Sequence, residues 1–156
     1  QYHVTLFICG FLDHETKVYS DDFIFGEFEQ QKEILRKEDF APFHLKIGSI
    51  DSFSSALFVE IGDTENILFQ IRQKLGLVSN EIAALEYCPH ITLGLYKTDY
   101  SSDLILQKIS ELPVQYKQAE FDLKVEHLIF GYYQAQTLQG KLYPYQHLFL
   151  GDSCCN

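Results

Sequence analysis

Apolar residues dominate Tyr2 to Leu12, where Val4, Leu6 and Ile8 alternate with His3, Thr5 and Phe7, the period of two of a buried β-strand. Asp13 to Asp22 is polar and reads as a loop. Glu27 to Lys37 is charged and rich in helix formers, with Ile34 and Leu35 on a modest apolar side, and predicts a helix. Alternation returns at Phe43 to Ile50, with Phe43, Leu45 and Ile47 on one face and His44, Lys46 and Gly48 on the other; Ala56 to Ile61 is a further strand. Asp63 or Thr64 is placed to cap a helix through Leu75, since Ile67, Leu68, Ile71 and Leu75 fall at helical spacing and Gly76 follows as a stop. Glu81 to Tyr87 carries no pattern. Pro89 stands at the entrance of a strand from His90 to Tyr96. Ser101 or Ser102 caps a helix from Asp103 to Leu112 that Pro113 ends. Phe121 to Tyr133 reads as one long strand and Tyr143 to Leu150 as the last, joined through the polar stretch Gln134 to Lys141 as a hairpin. The order β-α-β-β-α-β-α-β-β predicts an α+β fold with antiparallel sheet.

Length and composition narrow this picture. A chain of 156 residues with 46% hydrophobic positions supports one domain, spanning 1–156, with a sizeable core. Residues 151–156, with Cys154 and Cys155, are expected to form a mobile tail. The formal net charge of -10 repels long polyanions, so the expected partner is a small nucleotide or a short RNA end and not a DNA duplex. Cys9, Cys88, Cys154 and Cys155 include no C-x-x-C pair, which argues against a disulfide framework or a zinc site and for reduced thiols in the cytoplasm. No apolar run is long enough to span a bilayer, so no membrane partner is expected, and a monomer is.

The candidate chemistry lies in a repeat. His3-Val4-Thr5-Leu6 returns as His90-Ile91-Thr92-Leu93. Such a tetrapeptide arises by chance at roughly 10⁻⁵ per position, so two copies in a short chain carry weight. Each strand puts its histidine and threonine on one face, and two copies around one cleft would supply two imidazoles and two hydroxyls. Phosphate-ester cleavage needs one group to take a proton and another to give one, and histidine, with a reference pKa of about 6.5, does both near neutrality. Threonine hydroxyls can donate to the non-bridging oxygens, where charge accumulates. His3 and His90 are therefore the candidate catalytic residues, and Thr5 and Thr92 the candidate phosphate contacts. Phe7 continues the first polar face and Tyr96 the second, beyond a Gly94 that leaves room for a ligand; Lys46 has the reach to meet a phosphate. His14 reads as a solvent-exposed loop residue, and His44, His127 and His147 as structural. No H-x-x-x-H or H-E-x-x-H spacing occurs, so neither a metal nor another cofactor is expected.

Paired H-x-T-hydrophobic motifs resemble those of the 2H phosphoesterase superfamily, and the group of bacterial RNA 2′,3′-cyclic phosphodiesterases, also called 2′-5′ RNA ligases, most of all. Pro89 to Leu93 is similar to that group's second motif, Phe43 to Phe53 to its middle strand, and Val125 to Phe130 with Tyr145 to Leu150 to its closing hairpin. The resemblance implies a bilobed fold in which two antiparallel sheets line a central cleft with helices outside. It implies metal-free hydrolysis at His3, Thr5, His90 and Thr92. Members usually carry a strand and a helix ahead of the first motif, so a domain lacking that leading pair is expected here. The expected reaction is hydrolysis of a 2′,3′-cyclic phosphate on an RNA end or nucleotide, with His90 as base and His3 as acid. The alternatives are a 2′-5′ phosphodiesterase acting on oligoadenylate or cyclic oligonucleotide signals, and a nucleotide-binding module without turnover.

Overall fold

The computed structural model describes residues 2–13, 15–82, 86–117, 121–134 and 141–151; His14, Cys154, Cys155 and most of the expected tail lie outside them. In chain order the elements are β1 (Phe11–Asp13), β2 (Asp22–Ile24), α1 (Phe25–Glu38), β3 (Phe43–Ser52), β4 (Ala56–Gly62), α2 (Ile67–Leu75), β5 (His90–Leu95), α3 (Ser102–Ser110), α4 (Val114–Lys117), β6 (Phe121–Val125), β7 (His127–Tyr132) and β8 (Tyr143–Phe149). The main sheet is antiparallel with strand order β5-β4-β3-β6, and β7 and β8 form a separate antiparallel pair. Among the described residues no helix is long and apolar enough to cross a membrane.

The apolar stripes read from the sequence meet in one core. Leu45 and Ile61 on the main sheet, Leu35 on α1, Leu68, Ile71 and Leu75 on α2, and Leu148 and Leu150 at the end of the hairpin form a single cluster. Both α1 and α2 therefore cover the same side of the sheet, and His44, Lys46 and Glu60 on the reverse side are exposed. A buried amide links the two helices: Gln31 Nε2 donates to Leu75 O at 3.3 Å and to Ser79 Oγ at 3.0 Å, and Cys9 Sγ donates to Gln31 Oε1 at 3.6 Å. Burial pushes the Cys9 thiol up to about 11, so it stays protonated and serves as a donor. Phe28 on α1 packs edge-on against Phe130 and Tyr145, tying the hairpin to the helix.

Ser101 caps α3 as expected, whereas α2 starts later than expected, with Asn66 at its N-cap, and Asp63 reaches its first N–H groups from three residues ahead. Asp63 accepts from Ile67 N at 3.0 Å and Leu68 N at 2.8 Å, and Ser101 Oγ accepts from Leu104 N at 3.4 Å. Two strand expectations are corrected. Tyr2 to Leu12 is not one strand: only Val4 makes a bridge, to Ile91, and the ladder resumes at β1, parallel to β2. Gly10 stands where the ladder resumes. Its φ of 131° suits glycine, and a side chain there would meet Asp21 O at 2.3 Å, where that carbonyl turns in to accept Phe11 N. Phe121 to Tyr133 is likewise two strands. The chain leaves the main sheet at Glu126, whose carbonyl accepts Leu150 N at 2.9 Å, and continues as β7 beside β8. The short elements β2 and α4 carry too little periodicity to be read in advance.

Ile71 has no exposed surface, so Ile71→Ala is expected to cost about 2–5 kcal/mol, read as a lowered denaturation midpoint. Asp22 binds the turn before β2: its carboxylate accepts Val18 N at 2.8 Å and Tyr19 N at 2.7 Å, and these backbone donors hold it below the usual carboxylate range. A depressed carboxyl contributes stability above its unfolded value of about 3.9 and loses it as pH falls through the lower folded value. Asp22→Asn should therefore flatten the acid limb of the stability curve, as measured by urea unfolding across that limb.

Candidate functional site

The two repeats lie side by side. Val4 is bridged antiparallel to Ile91, and both side chains pack against the core cluster. Their neighbours His3, Thr5 and Thr92 are exposed and His90 is half-buried, so all four belong to the open face. Carried one residue either way, the register sets His3 opposite Thr92 and Thr5 opposite His90. Each histidine thus faces the other repeat's threonine, and the two histidines stand on a diagonal of about 7–8 Å between backbones.

Surroundings fix the His90 ring. Its Nδ1 lies 2.7 Å from Cys88 O; a carbonyl can only accept, so Nδ1 carries the hydrogen and Nε2 is the atom left for a ligand. Phe53 and Phe58 stack on each other at 4.0 Å, and both meet the imidazole edge-on, at 4.9 and 5.4 Å. Glu60 pairs directly with His90 across the β4–β5 ladder. Desolvation, and after it the charges of Glu60, Asp51 and Glu86, push up the Cys88 thiol, so three carboxylates act on this end of the sheet.

The first repeat is mounted differently. Past Val4 it has no ladder partner among the described residues until β1, and side chains take over. Tyr87 OH donates to Thr5 O at 3.1 Å, and Arg72 Nη1 donates to Leu6 O at 2.6 Å. Glu81 Oε1 accepts Ile8 N at 3.0 Å, and Ile82 N donates to Ile8 O at 3.1 Å. Arg72 and Glu81 form a two-pronged ion pair, at 3.2 and 2.6 Å, and the guanidinium stacks 3.9 Å over Tyr87, whose hydroxyl burial pushes up to about 12.

A family model for the 2′-5′ RNA ligase superfamily matches residues 1–137. The chain belongs to that superfamily. Membership in these 2H phosphoesterases carries phosphodiester chemistry of the phosphodiesterase or ligase type. No curated protein matches the chain in sequence. TT0787 of Thermus thermophilus, a crystal structure, shares the fold at a TM-score of 0.60 and 14% identity, over 96% of this chain and 78% of that one.

The superfamily fold does not gather every candidate. Phe7 leaves the polar face: Leu6 and Phe7 both pack against the core, because alternation ends where side chains replace the ladder, and Arg72 lies 5.9 Å over the Phe7 ring. Tyr96 and Gly94 also leave it. The β4–β5 register shifts between Leu57 and Phe58, so Thr92 shares a face with Phe58 while Gly94 shares one with Leu57. Tyr96 then bonds Ser52 Oγ at 2.8 Å, on the side away from His90. Lys46 stays on the open face but opposite Gly62 and Asp122, roughly 10 Å across the sheet from β5. No group of three metal-ligating side chains occurs among the described residues.

Sequence reasoning missed Phe53, Phe58, Arg72, Glu81 and Tyr87. Arg72 had a readable sign, since it flanks the stripe of Leu68, Ile71 and Leu75 where a surface helix buries its face. A methyl at Gly94 would meet nothing within 4 Å and faces away from His90. Gly94→Ala is therefore expected to leave turnover unchanged and to hold stability within about 1 kcal/mol, checked by a thermal melt beside an activity assay.

Proposed function

We propose that the chain is a metal-independent phosphodiesterase that hydrolyses 2′,3′-cyclic phosphates of RNA ends or small nucleotides by two-histidine acid–base catalysis. The observation that supports this reading is the Val4–Ile91 bridge, whose register, carried one residue either way, pairs each histidine with the other repeat's threonine. With its Nδ1 hydrogen held by Cys88 O, the neutral His90 ring would act as the base through Nε2. It takes a proton from water as the water oxygen bonds to phosphorus. The phosphorus–ribose oxygen bond on the far side breaks, and His3 gives that oxygen its proton. Thr5 and Thr92 donate to the non-bridging oxygens. Lys46, on the same face at a distance, suits a more remote part of the ligand.

The carboxylates of Glu60, Asp51 and Glu86 near Cys88, with the net charge of -10, favour a second reading in which the substrate is a short 2′-5′ or cyclic oligonucleotide instead of a long RNA. A linkage panel separates the two: 2′,3′-cyclic nucleotide, 2′-5′ and 3′-5′ dinucleotides, all with EDTA present. Turnover of the cyclic substrate in EDTA is expected, with a bell-shaped pH profile because one imidazole must be neutral and the other protonated. His3→Ala and His90→Ala should each lower kcat by about 10²-fold or more. Near-wild-type turnover in either variant, or loss of activity with EDTA, would overturn the proposal; calorimetric binding of every substrate without product would make the chain a binding module.

A further inference from the structure

Leu6 O and Ile8 N flank Phe7, and one residue of a neighbouring parallel strand would satisfy that same pair with its own N–H and C=O. Here Arg72 and Glu81 do so as one unit. The guanidinium donates to Leu6 O at 2.6 Å, the carboxylate accepts Ile8 N at 3.0 Å, and two hydrogen bonds lock donor to acceptor. Both side chains are mostly buried, at 15% and 12% exposure, so the pair is shielded from competing water. Its root is stiff. Arg72 follows Ile71, the most buried residue of α2, and its guanidinium is stacked on Tyr87, which itself holds Thr5 O.

We propose that Arg72, with Glu81, is the positioning residue of the first repeat, meeting Leu6 O and Ile8 N as a neighbouring strand would and setting the height of His3 and Thr5 against β5. The inference rests on the two-histidine reading above for its catalytic consequence, though not for its structural part. Arginine is required because one planar group must reach a carbonyl and both carboxylate oxygens together, which a lysine ammonium on a flexible stem does not reproduce.

Three variants test it: Arg72→Lys, Tyr87→Phe, and the exchanged pair Arg72→Glu with Glu81→Arg. Amide hydrogen exchange of residues 4–8, kcat and KM on a 2′,3′-cyclic nucleotide, and the thermal midpoint are read for each. Arg72→Lys is expected to speed exchange at Ile8 and to lower kcat about 10- to 100-fold with KM within about twofold, while β3 and β4 stay protected. The exchanged pair restores opposite charges but supplies no donor for Leu6 O and no acceptor for Ile8 N, so kcat should not recover. Recovery in that variant would show that only the ion pair matters and would overturn the proposal. Unchanged exchange at residues 4–8 in Arg72→Lys would overturn it as well, as would faster exchange with full kcat. Tyr87→Phe, which loses only the hydroxyl at Thr5 O, should show a smaller kcat loss with faster exchange of the same segment, and it decides the matter if Arg72→Lys does not fold. Full turnover in His3→Ala sinks the two-histidine reading by itself, while the exchange data still judge the clamp.

Discussion

Val4 and Ile91 lie opposite one another with both side chains packed against the apolar core, and which side chains share the reverse side follows from that pairing. A strand cannot hide one residue without showing the next. Burying Val4 and Ile91 therefore presents His3, Thr5, His90 and Thr92 together. The core under them, from Leu45 and Ile61 to Ile71, belongs to a sheet and two helices, so the face is supported from below by the best-packed part of the molecule.

Small irregularities decide which residues share that face. One shift of register in the β4–β5 ladder sends Gly94 and Tyr96 to the far side and keeps Phe58 beneath His90. A second, between Ile47 and Ile50 on β3, brings Asp51 opposite Phe58, among the carboxylates near Cys88. A bulge re-aims everything beyond it, so two such shifts redraw the site without changing a strand's place in the sheet.

Much of this was legible in the chain. β3 and α2 follow from their spacing, α1 from its run of helix formers, and the Ser101 cap and the Asp63 bonds to the start of α2 from their residue types. The histidines and threonines stood out because a repeated tetrapeptide needs no tertiary knowledge to be seen. Phe7 and Tyr96 went wrong for one reason: alternation was extended past points where the ladder slips or ends, and nothing local in Phe7-Ile8 or Leu93-Gly94 marks the slip. Arg72, Glu81 and Tyr87 escaped because their role is to satisfy the backbone of a segment distant in sequence, which no periodicity encodes.

The repeats are twins in sequence and unlike in suspension. His90 belongs to a strand hydrogen-bonded along β4, whereas the chain after His3 hangs from a guanidinium, a carboxylate and a phenol. The ladder shares its load along a whole strand, whereas the first repeat depends on a few named side chains and on Ile82 N. Two equal motifs are thus held by unlike means, so a change at Arg72, Glu81 or Tyr87 reaches the first while the second keeps its ladder.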